Sequence, residues 1–412
     1  MRSLILKNSL ALISLKLINA ILVLGIVVLS AKYLGPEEYG KYALVLSIIT
    51  LLSIPLKNGA SNLTIREYKK GPSPEIRKKI DSIQVFYFFI FIISTGVLFS
   101  ILYYLKVVEG DPFIVIVSSV LFSIGAGYVS IFRTYNIINE RYRLSQIPEM
   151  LLSPVFILVF LFIANIDTGY FLLLINALSF LLISLGIYFI RRPITIKWCV
   201  GLKMAIKSRG FITSSLYMSA LTGLQLINSQ VDIYSLAMLS TESSVGIYKV
   251  ANQFASFLFI PVVSLSIFVA PKILGEIEKG NKNISKKLFL QSCLIGFILS
   301  LSLLIGVLTF YQEAIMYLLG EAYSGIGDVL VILCVGAVMY SIFGPVLGVA
   351  NMLGLEKLSL VLSVFSIAIN ITLNGILVPQ HGAVGASVST VISMMIWKIT
   401  LSVLIIIKWR KV

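Results

Sequence analysis

The chain has 412 residues, of which 58% are hydrophobic and only 12% are charged, and its mean hydropathy is +0.99. A soluble protein of this length needs far more surface charge, so the composition excludes a soluble globular protein and indicates an integral membrane protein. The net charge of +15 follows from the membrane topology described below, and we exclude nucleic acid as a partner.

Apolar runs of about 20 residues, long enough to cross a bilayer, recur along the whole chain. The first run is interrupted by Lys16 and Asn19 and lacks a small-residue cleavage site, so we interpret it as a spanning helix and not as a signal peptide. The predicted spans are 9–31, 40–61, 82–105, 113–137, 148–166, 169–190, 211–238, 246–271, 288–310, 327–350, 358–379 and 383–407. They predict an all-α membrane fold of twelve helices, six in each half.

The two halves share a segment at a constant offset of 206 residues. Gly40 corresponds to Gly246, and Pro55 corresponds to Pro261. Because both copies run in the same direction, they predict a parallel repeat, and duplicated bundles of this kind build transport sites between their halves. The predicted division is an N-lobe at 1–190, a cytoplasmic linker at 191–210 and a C-lobe at 211–412.

The basic residues predict the orientation of the chain. If the termini are cytoplasmic, 25 of the 33 Lys and Arg residues lie in cytoplasmic segments, and the outer loops are short and mildly acidic. This asymmetry is the usual mark of the cytoplasmic side. It also suits the anionic lipid of the inner leaflet. We therefore predict a multi-pass protein of the cytoplasmic (inner) membrane with both termini inside.

Few ionisable residues fall inside the spans, where each costs at least ~2.5–3.5 kcal/mol. At about 1.5 Å per residue, Lys16 lies roughly 12 Å into the membrane, and Lys57 and Arg133 lie roughly 8 Å in. These three cations are predicted to form a basic pocket that opens to the cytoplasm and binds an anion such as a diphosphate. The alternative is that each side chain extends to the headgroups, as we expect for Lys398.

Asp232 is the acid that lies well inside a predicted span, and Lys249 follows it across a short loop. Three interpretations stay open. The two residues form a structural ion pair, Asp232 couples transport to a proton or sodium gradient, or Asp232 contacts sugar directly.

Amide side chains and prolines mark further positions along the spans. Amides both donate and accept hydrogen bonds, which suits a hydroxyl-rich cargo, although they also join helices to one another. The predicted glycan-contacting residues are Asn19, Gln225, Asn228, Asn252 and Gln253. The repeated pair Pro55 and Pro261 predicts hinges, because proline removes a helical hydrogen bond.

Several catalytic patterns are missing from the sequence. There is no GxxxxGK[ST] segment, and the single histidine, His381, allows no Ser/His/Asp set. Three widely spaced cysteines form neither a disulfide framework nor a metal-binding pattern. We therefore expect a protein that is not an enzyme, with no cofactor and no metal.

The segment Leu34-Gly35-Pro36-Glu37-Glu38-Tyr39-Gly40 resembles a mark of the Wzx-type O-antigen and polysaccharide flippases. Glu242 to Tyr248 resembles its second-half counterpart. These flippases belong to the multidrug/oligosaccharidyl-lipid/polysaccharide (MOP) exporter superfamily, together with MATE exporters and lipid II flippases. The resemblance implies two six-helix lobes in a V shape and alternating access.

The resemblance also implies the cargo, an undecaprenyl-diphosphate-linked oligosaccharide such as an O-antigen repeat unit. Cationic cavity residues of the family hold the diphosphate, and Lys16, Lys57 and Arg133 fit that role here. Membrane lipid and the polysaccharide polymerase machinery are the implied partners, and we expect a monomer. Two alternatives remain: a MATE-like drug or cation exporter, and a membrane glycosyltransferase or polymerase.

Overall fold

The computed structural model describes residues 2–104, 112–164, 167–190, 209–353 and 355–411, and all regular secondary structure in these ranges is helical. The α-helices are α1 (Arg2–Leu52), α2 (Ser61–Lys69), α3 (Pro74–Tyr104), α4 (Pro112–Ile138), α5 (Tyr142–Ile147), α6 (Ser153–Ile163), α7 (Gly169–Ile190), α8 (Arg209–Asn228), α9 (Val231–Leu239), α10 (Glu242–Ser256), α11 (Ile260–Glu278), α12 (Lys282–Leu319), α13 (Ile326–Ser341), α14 (Val346–Met352) and α15 (Glu356–Lys411). Two π-helical segments, Pro55–Ala60 and Pro148–Leu152, and two 3₁₀ turns, Phe257–Phe259 and Glu321–Tyr323, lie between them.

Each predicted span is mostly helical in the described residues. Eight helices of this part of the chain are long and apolar enough to cross a membrane. The chain is therefore an all-α, multi-pass membrane protein, as the composition predicted. The number of twelve spans stays a prediction.

Two pairs of neighbouring predicted spans are each joined within one helix. Helix α1 is broken at Gly35 (φ 72°), between the spans predicted at 9–31 and 40–61. Helix α15 is broken at Gly382 (φ 52°), between the last two predicted spans. Glycine adopts such left-handed angles without the steric cost of a Cβ atom, so it permits a sharp change of direction without a loop.

The chain divides into two compact units, Met1–Leu34 with Leu44–Ile227 and Gly35–Ala43 with Asn228–Val412. Helix α8 thus groups with the first unit, and the short segment after the break in α1 groups with the second. The lobe boundaries at 190 and 211 stay predictions, and residues 191–208 of the predicted linker lie outside the described ranges.

The first unit packs α4 centrally, against α3 and α7. Ala126 and Val129 of α4 are fully buried, and the ring of Phe122 meets Phe180 of α7 edge-on at 5.0 Å between centroids. This packing fixes the axial position of α4, which carries Arg133.

In the second unit, the segment of α1 after the break crosses the start of α10 at very close range. A Cβ atom on Gly40 would lie 1.9 Å from the carbonyl oxygen of Glu242, and one on Gly246 would lie 1.9 Å from the carbonyl oxygen of Pro36. The two contacts are related by the 206-residue offset found in the sequence, so the repeat is visible as a reciprocal backbone contact. We refer to it as the glycine crossing.

An ion pair lies beside the glycine crossing. The Nζ atom of Lys41 is 2.8 Å from Glu38 Oε1 and 3.5 Å from Glu242 Oε2. It therefore joins the same two helical segments that the glycines allow to approach.

Candidate functional site

Two of the three predicted diphosphate-binding cations meet on one carboxylate in the first unit. Lys57 Nζ lies 2.9 Å from Glu149 Oε1, and Arg133 Nη1 lies 3.0 Å from Glu149 Oε2. The side chains of Lys57, Arg133 and Glu149 are 23%, 25% and 17% exposed. The structure thus brings Lys57 and Arg133 to one point, while their role toward a diphosphate stays a prediction. We refer to these three residues as the charge cluster.

Two π-helical segments position the Lys57 and Glu149 side chains. Lys57 lies in Pro55–Ala60 and Glu149 in Pro148–Leu152, and each segment begins at a proline. Because proline cannot donate to the preceding turn, the helix widens there, and wide turns of this type occur frequently at functional sites. A π-helical turn that begins at a proline therefore positions both the lysine and the carboxylate of the ion pair.

Helix α4, which supplies Arg133, is held by neighbouring polar contacts. Thr134 Oγ1 lies 2.7 Å from Ser61 Oγ at the start of α2. One residue further, the Tyr135 hydroxyl donates to Asp81 of α3, and Tyr68 of α2 donates to the same carboxylate at 2.8 Å. These bonds hold the C-terminal part of α4 directly after Arg133.

Asn19 makes a contact different from the one predicted. Its amide donates to the carbonyl oxygen of Met150 at 2.9 Å. Four residues after Met150 stands Pro154, which has no N–H group, so this carbonyl has lost its usual helical donor. Asn19 thus replaces a missing backbone bond beside Glu149. The predicted contact with glycan stays untested.

Lys16 is not part of the charge cluster. Its side chain is exposed on α1, one turn before Asn19, and its ammonium group forms no ion pair with a described residue. The prediction of three convergent cations therefore holds geometrically for two of them, and Lys16 lies on the helix that contacts the Glu149 segment.

The other predicted glycan-contacting amides lie in two places. Asn228 is exposed at the end of α8, while Asn252 and Gln253 are partly exposed on α10. The side chain of Gln225 lies outside the described residues. A role for these amides toward glycan stays a prediction.

Asp232 is buried in the second unit within a cluster of polar side chains. Its carboxylate, in a residue that is 3% exposed, accepts from the Tyr248 hydroxyl at 2.7 Å and from Asn374 Nδ2 at 3.0 Å. Asn374 also donates to Asn370 at 2.6 Å, and Tyr248 shares a hydrogen bond with Thr390. Among described residues, Asn374 Oδ1 is buried with no partner.

The alternative of an Asp232–Lys249 ion pair is wrong for this structure. In the described part of the chain no salt bridge joins the two residues, because Tyr248 and Asn374 occupy the carboxylate. Lys249 is partly buried on α10. A coupling role for Asp232 stays a prediction.

Lys398 also differs from the expectation that it extends to the headgroups. It is 1% exposed, with Nζ 3.7 Å from the centroid of the Tyr340 ring and 3.4 Å from the carbonyl oxygen of Gly344. The ammonium group therefore contacts an aromatic face inside the second unit and not the lipid headgroups.

The two predicted hinge prolines both stand where the helical winding changes. Pro55 begins the first π-helical segment, and Pro261 lies in the first turn of α11, directly after the 3₁₀ turn. The backbone is irregular at both positions, and motion about them stays a prediction.

A family model described as "Polysaccharide biosynthesis protein" matches residues 5–270, which is more than half of the chain. The chain belongs to this family. The polysaccharide-related family that the segments at 34–40 and 242–248 indicated is thereby confirmed.

Similar proteins agree with that assignment. The probable low-salt glycan biosynthesis flippase Agl15 of Haloferax volcanii is 28% identical over 170 residues, or 40% of this chain and 35% of the relative. The matched part is thus about a third of that relative's length. A lipid II flippase MurJ structure in an inward closed conformation has a TM-score of 0.76 at 16% identity, covering 95% of this chain and 86% of the other.

An inward-facing structure of a multidrug resistance MATE family transporter of the MOP superfamily has a TM-score of 0.69 at 16% identity. It covers 97% of this chain and 98% of the transporter. At these identities the likeness shows a shared fold, which is that of the MOP transporters.

Two features of this family member were not predicted from its sequence. Glu149 is the second residue of the predicted span 148–166, and it was not connected with the cations. An acid next to Pro148, at the depth of Lys57 and Arg133, is the signal that identifies it. Asn374 and Thr390 were not connected with Asp232, because the sequence does not show how α15 packs against α9.

Proposed function

We propose that this protein is a flippase that moves a polyprenyl-diphosphate-linked oligosaccharide from the cytoplasmic to the outer leaflet by alternating access. The observation that carries the proposal is the meeting of Lys57 and Arg133 on one carboxylate within a membrane-spanning unit. A pair of cations that holds two carboxylate oxygens is also suited to two phosphate oxygens. The family assignment and the flippase relatives support the same cargo class.

The proposed roles are those predicted from the sequence. Lys57 and Arg133 hold the diphosphate, and Lys16 attracts it from the cytoplasmic side of α1. The amides on α8 and α10 contact the glycan, and the undecaprenyl tail stays in lipid. The protein acts as a monomer without a cofactor and supplies the polysaccharide polymerase machinery.

The proposed setting is the cytoplasmic membrane with both termini inside, supported by the distribution of Lys and Arg. The protein is proposed to be a transporter and not an enzyme, so the MATE-like exporter is the remaining alternative. A basic cluster at the cytoplasmic side disfavours a cationic drug as cargo. Drug-resistance assays on cells that express the protein separate the two.

Coupling to a proton or sodium gradient is proposed to involve Asp232. A buried carboxylate without a cationic partner is expensive in its charged form, so it tends to take up a proton or a cation. The Asn374 oxygen beside it, which has no hydrogen-bond partner among the described residues, supports this role.

The test removes the charge cluster as a unit. The triple variant Lys57→Gln/Arg133→Gln/Glu149→Gln leaves no unpaired buried charge, so it should fold normally. Since each charge-assisted hydrogen bond contributes about 1.5–3 kcal/mol, flipping should fall by at least about tenfold. The measurement is the amount of lipid-linked glycan that an external lectin reaches in spheroplasts.

The control is Lys279→Gln. This lysine is 68% exposed at the C-terminal end of α11, outside the charge cluster, and its Nζ atom pairs with Glu276 at 2.9 Å. The control variant should flip at the wild-type rate. Normal flipping by the triple variant at normal expression would refute the proposed function.

A further inference from the structure

Glu149 holds both cations that the proposed function assigns to the cargo. One carboxylate oxygen binds Lys57 at 2.9 Å and the other binds Arg133 at 3.0 Å. A phosphate group approaching these cations meets donors that already have an anionic partner. Capture of the diphosphate therefore requires the carboxylate to move aside.

The charges of the cluster show why such a partner is needed. Lys57 and Arg133 together carry two positive charges in a partly buried site, and Glu149 reduces the sum to one. Without the carboxylate, two like charges would face each other with little solvent. With the carboxylate in place, a diphosphate would bring further negative charge next to it. The cluster can thus be occupied by Glu149 or by the diphosphate, but not favourably by both.

Arg133 also has a donor that the carboxylate does not use. Its Nε atom is buried and has no hydrogen-bond partner among the described residues. A group with more oxygen atoms than a carboxylate, such as a diphosphate, can use this donor in addition to Nη1. The site therefore has more binding capacity than Glu149 fills.

We propose that Glu149 is an exchangeable internal counter-ion, which occupies Lys57 and Arg133 in the empty transporter and is displaced by the diphosphate. This inference rests on the proposed function. The exchange makes capture selective for strongly anionic headgroups, because a singly charged phosphodiester gains too little to displace the carboxylate. On release of the diphosphate, the carboxylate returns and pairs with Lys57 and Arg133 again. Glu149 is therefore a positioning residue for both capture and release.

The test measures binding of inorganic pyrophosphate to the purified full-length protein in lipid nanodiscs by calorimetry. Glu149→Gln removes the competing charge and keeps the size of the side chain. Its affinity for pyrophosphate should rise about tenfold, while its flipping rate with saturating cargo should fall. A merely structural role would lower both quantities. Glu276→Gln, which breaks an ion pair in the second unit, should change neither.

Single variants of Lys57 and Arg133 distinguish a failure of the proposed function from a failure of the counter-ion exchange. If Lys57→Gln and Arg133→Gln leave pyrophosphate binding unchanged, the proposed function fails. If they weaken binding while Glu149→Gln fails to strengthen it, the proposed function stands and the counter-ion exchange is overturned.

Glu149→Asp guards against a folding defect in the uncharged variant. It keeps the charge but shortens the reach, so it should bind pyrophosphate more tightly than wild type and less tightly than Glu149→Gln. Affinity of the aspartate variant at or below the wild-type value would contradict the exchange.

Discussion

Lys398 is a cation in the core of the second unit, 1% exposed and without a carboxylate partner among the described residues. Its ammonium group faces the Tyr340 ring at 3.7 Å and the ring of Trp397 at 5.5 Å. A cation over a desolvated aromatic face contributes about 2 kcal/mol, which offsets only part of the cost of burial. A change of the Tyr340 ring should therefore have a large effect on the free energy of unfolding.

A double-mutant cycle measures this contact. Tyr340→Leu should lower the free energy of unfolding by about 1–2 kcal/mol more when Lys398 is present than in the Lys398→Met background, because only the former loses a cation–π contact. The measurement is equilibrium unfolding in detergent micelles. Tyr340→Phe keeps the aromatic face and serves as the control. Additive effects of Tyr340→Leu and Lys398→Met would show that the ring does not stabilise the ammonium group.

The position of a residue along its helix could be predicted from the sequence, but the direction of its side chain could not. The fixed rise of a helix placed Lys57 and Arg133 at one level, and the structure brings them together. The same reasoning said nothing about Glu149, because a carboxylate next to a proline could belong to either the span or the loop. For Lys398, the flexible stem permits a path to the headgroups, and only the packing of α13 against α15 shows that it turns inward.

At the scale of elements, the glycine crossing joins two segments that correspond in the repeat. Both contacts place a Cβ position 1.9 Å from a backbone carbonyl oxygen, far closer than any side-chain atom fits. Backbone oxygen atoms cannot rotate away as a flexible side chain can. A methyl group at either glycine therefore forces the two helices apart.

Gly40→Ala and Gly246→Ala should each destabilise the protein by about 1–3 kcal/mol, and by similar amounts, because the contacts are reciprocal. Thermal unfolding of the purified variants checks this. Gly186→Ala and Gly275→Ala are matched controls, since a Cβ atom there meets nothing within 4 Å. Wild-type stability of either crossing variant would mean that the close approach is not present in solution.

Element boundaries were predicted well where a chemical signal marks them. Gly35 and Gly382 lie between predicted spans and take the left-handed angles that break their helices. The wide turns at Lys57 and Glu149 were not predicted. A proline in a span indicates an irregularity, but the sequence does not distinguish a kink from a π-helical turn.

At the scale of the whole molecule, composition and the apolar runs were enough to identify an all-helical, multi-pass membrane protein. The division into compact units differs in detail from the predicted lobes, because α8 groups with the first unit and Gly35–Ala43 with the second. Contacts between helices distant in sequence decide such groupings, and hydropathy contains no information about them.

The orientation is testable by cysteine labelling. In a variant with Cys199, Cys293 and Cys334 replaced by serine, Glu37→Cys should react with a membrane-impermeant maleimide in intact cells. Lys70→Cys should react only after permeabilisation, because its segment is basic and predicted to be cytoplasmic. Both native side chains are well exposed, at 67% and 61%. The reverse labelling pattern would overturn the topology and, with it, the direction of transport.

The glycine crossing has a consequence for the gene. Every missense change of one base in a glycine codon introduces a residue that carries a Cβ atom. The codons for Gly40 and Gly246 therefore accept only synonymous drift unless the backbone at Pro36 or Glu242 shifts in a second event. Two halves that descend from one duplicated ancestor would then remain tied to each other at this point, however far the rest of their sequences diverges.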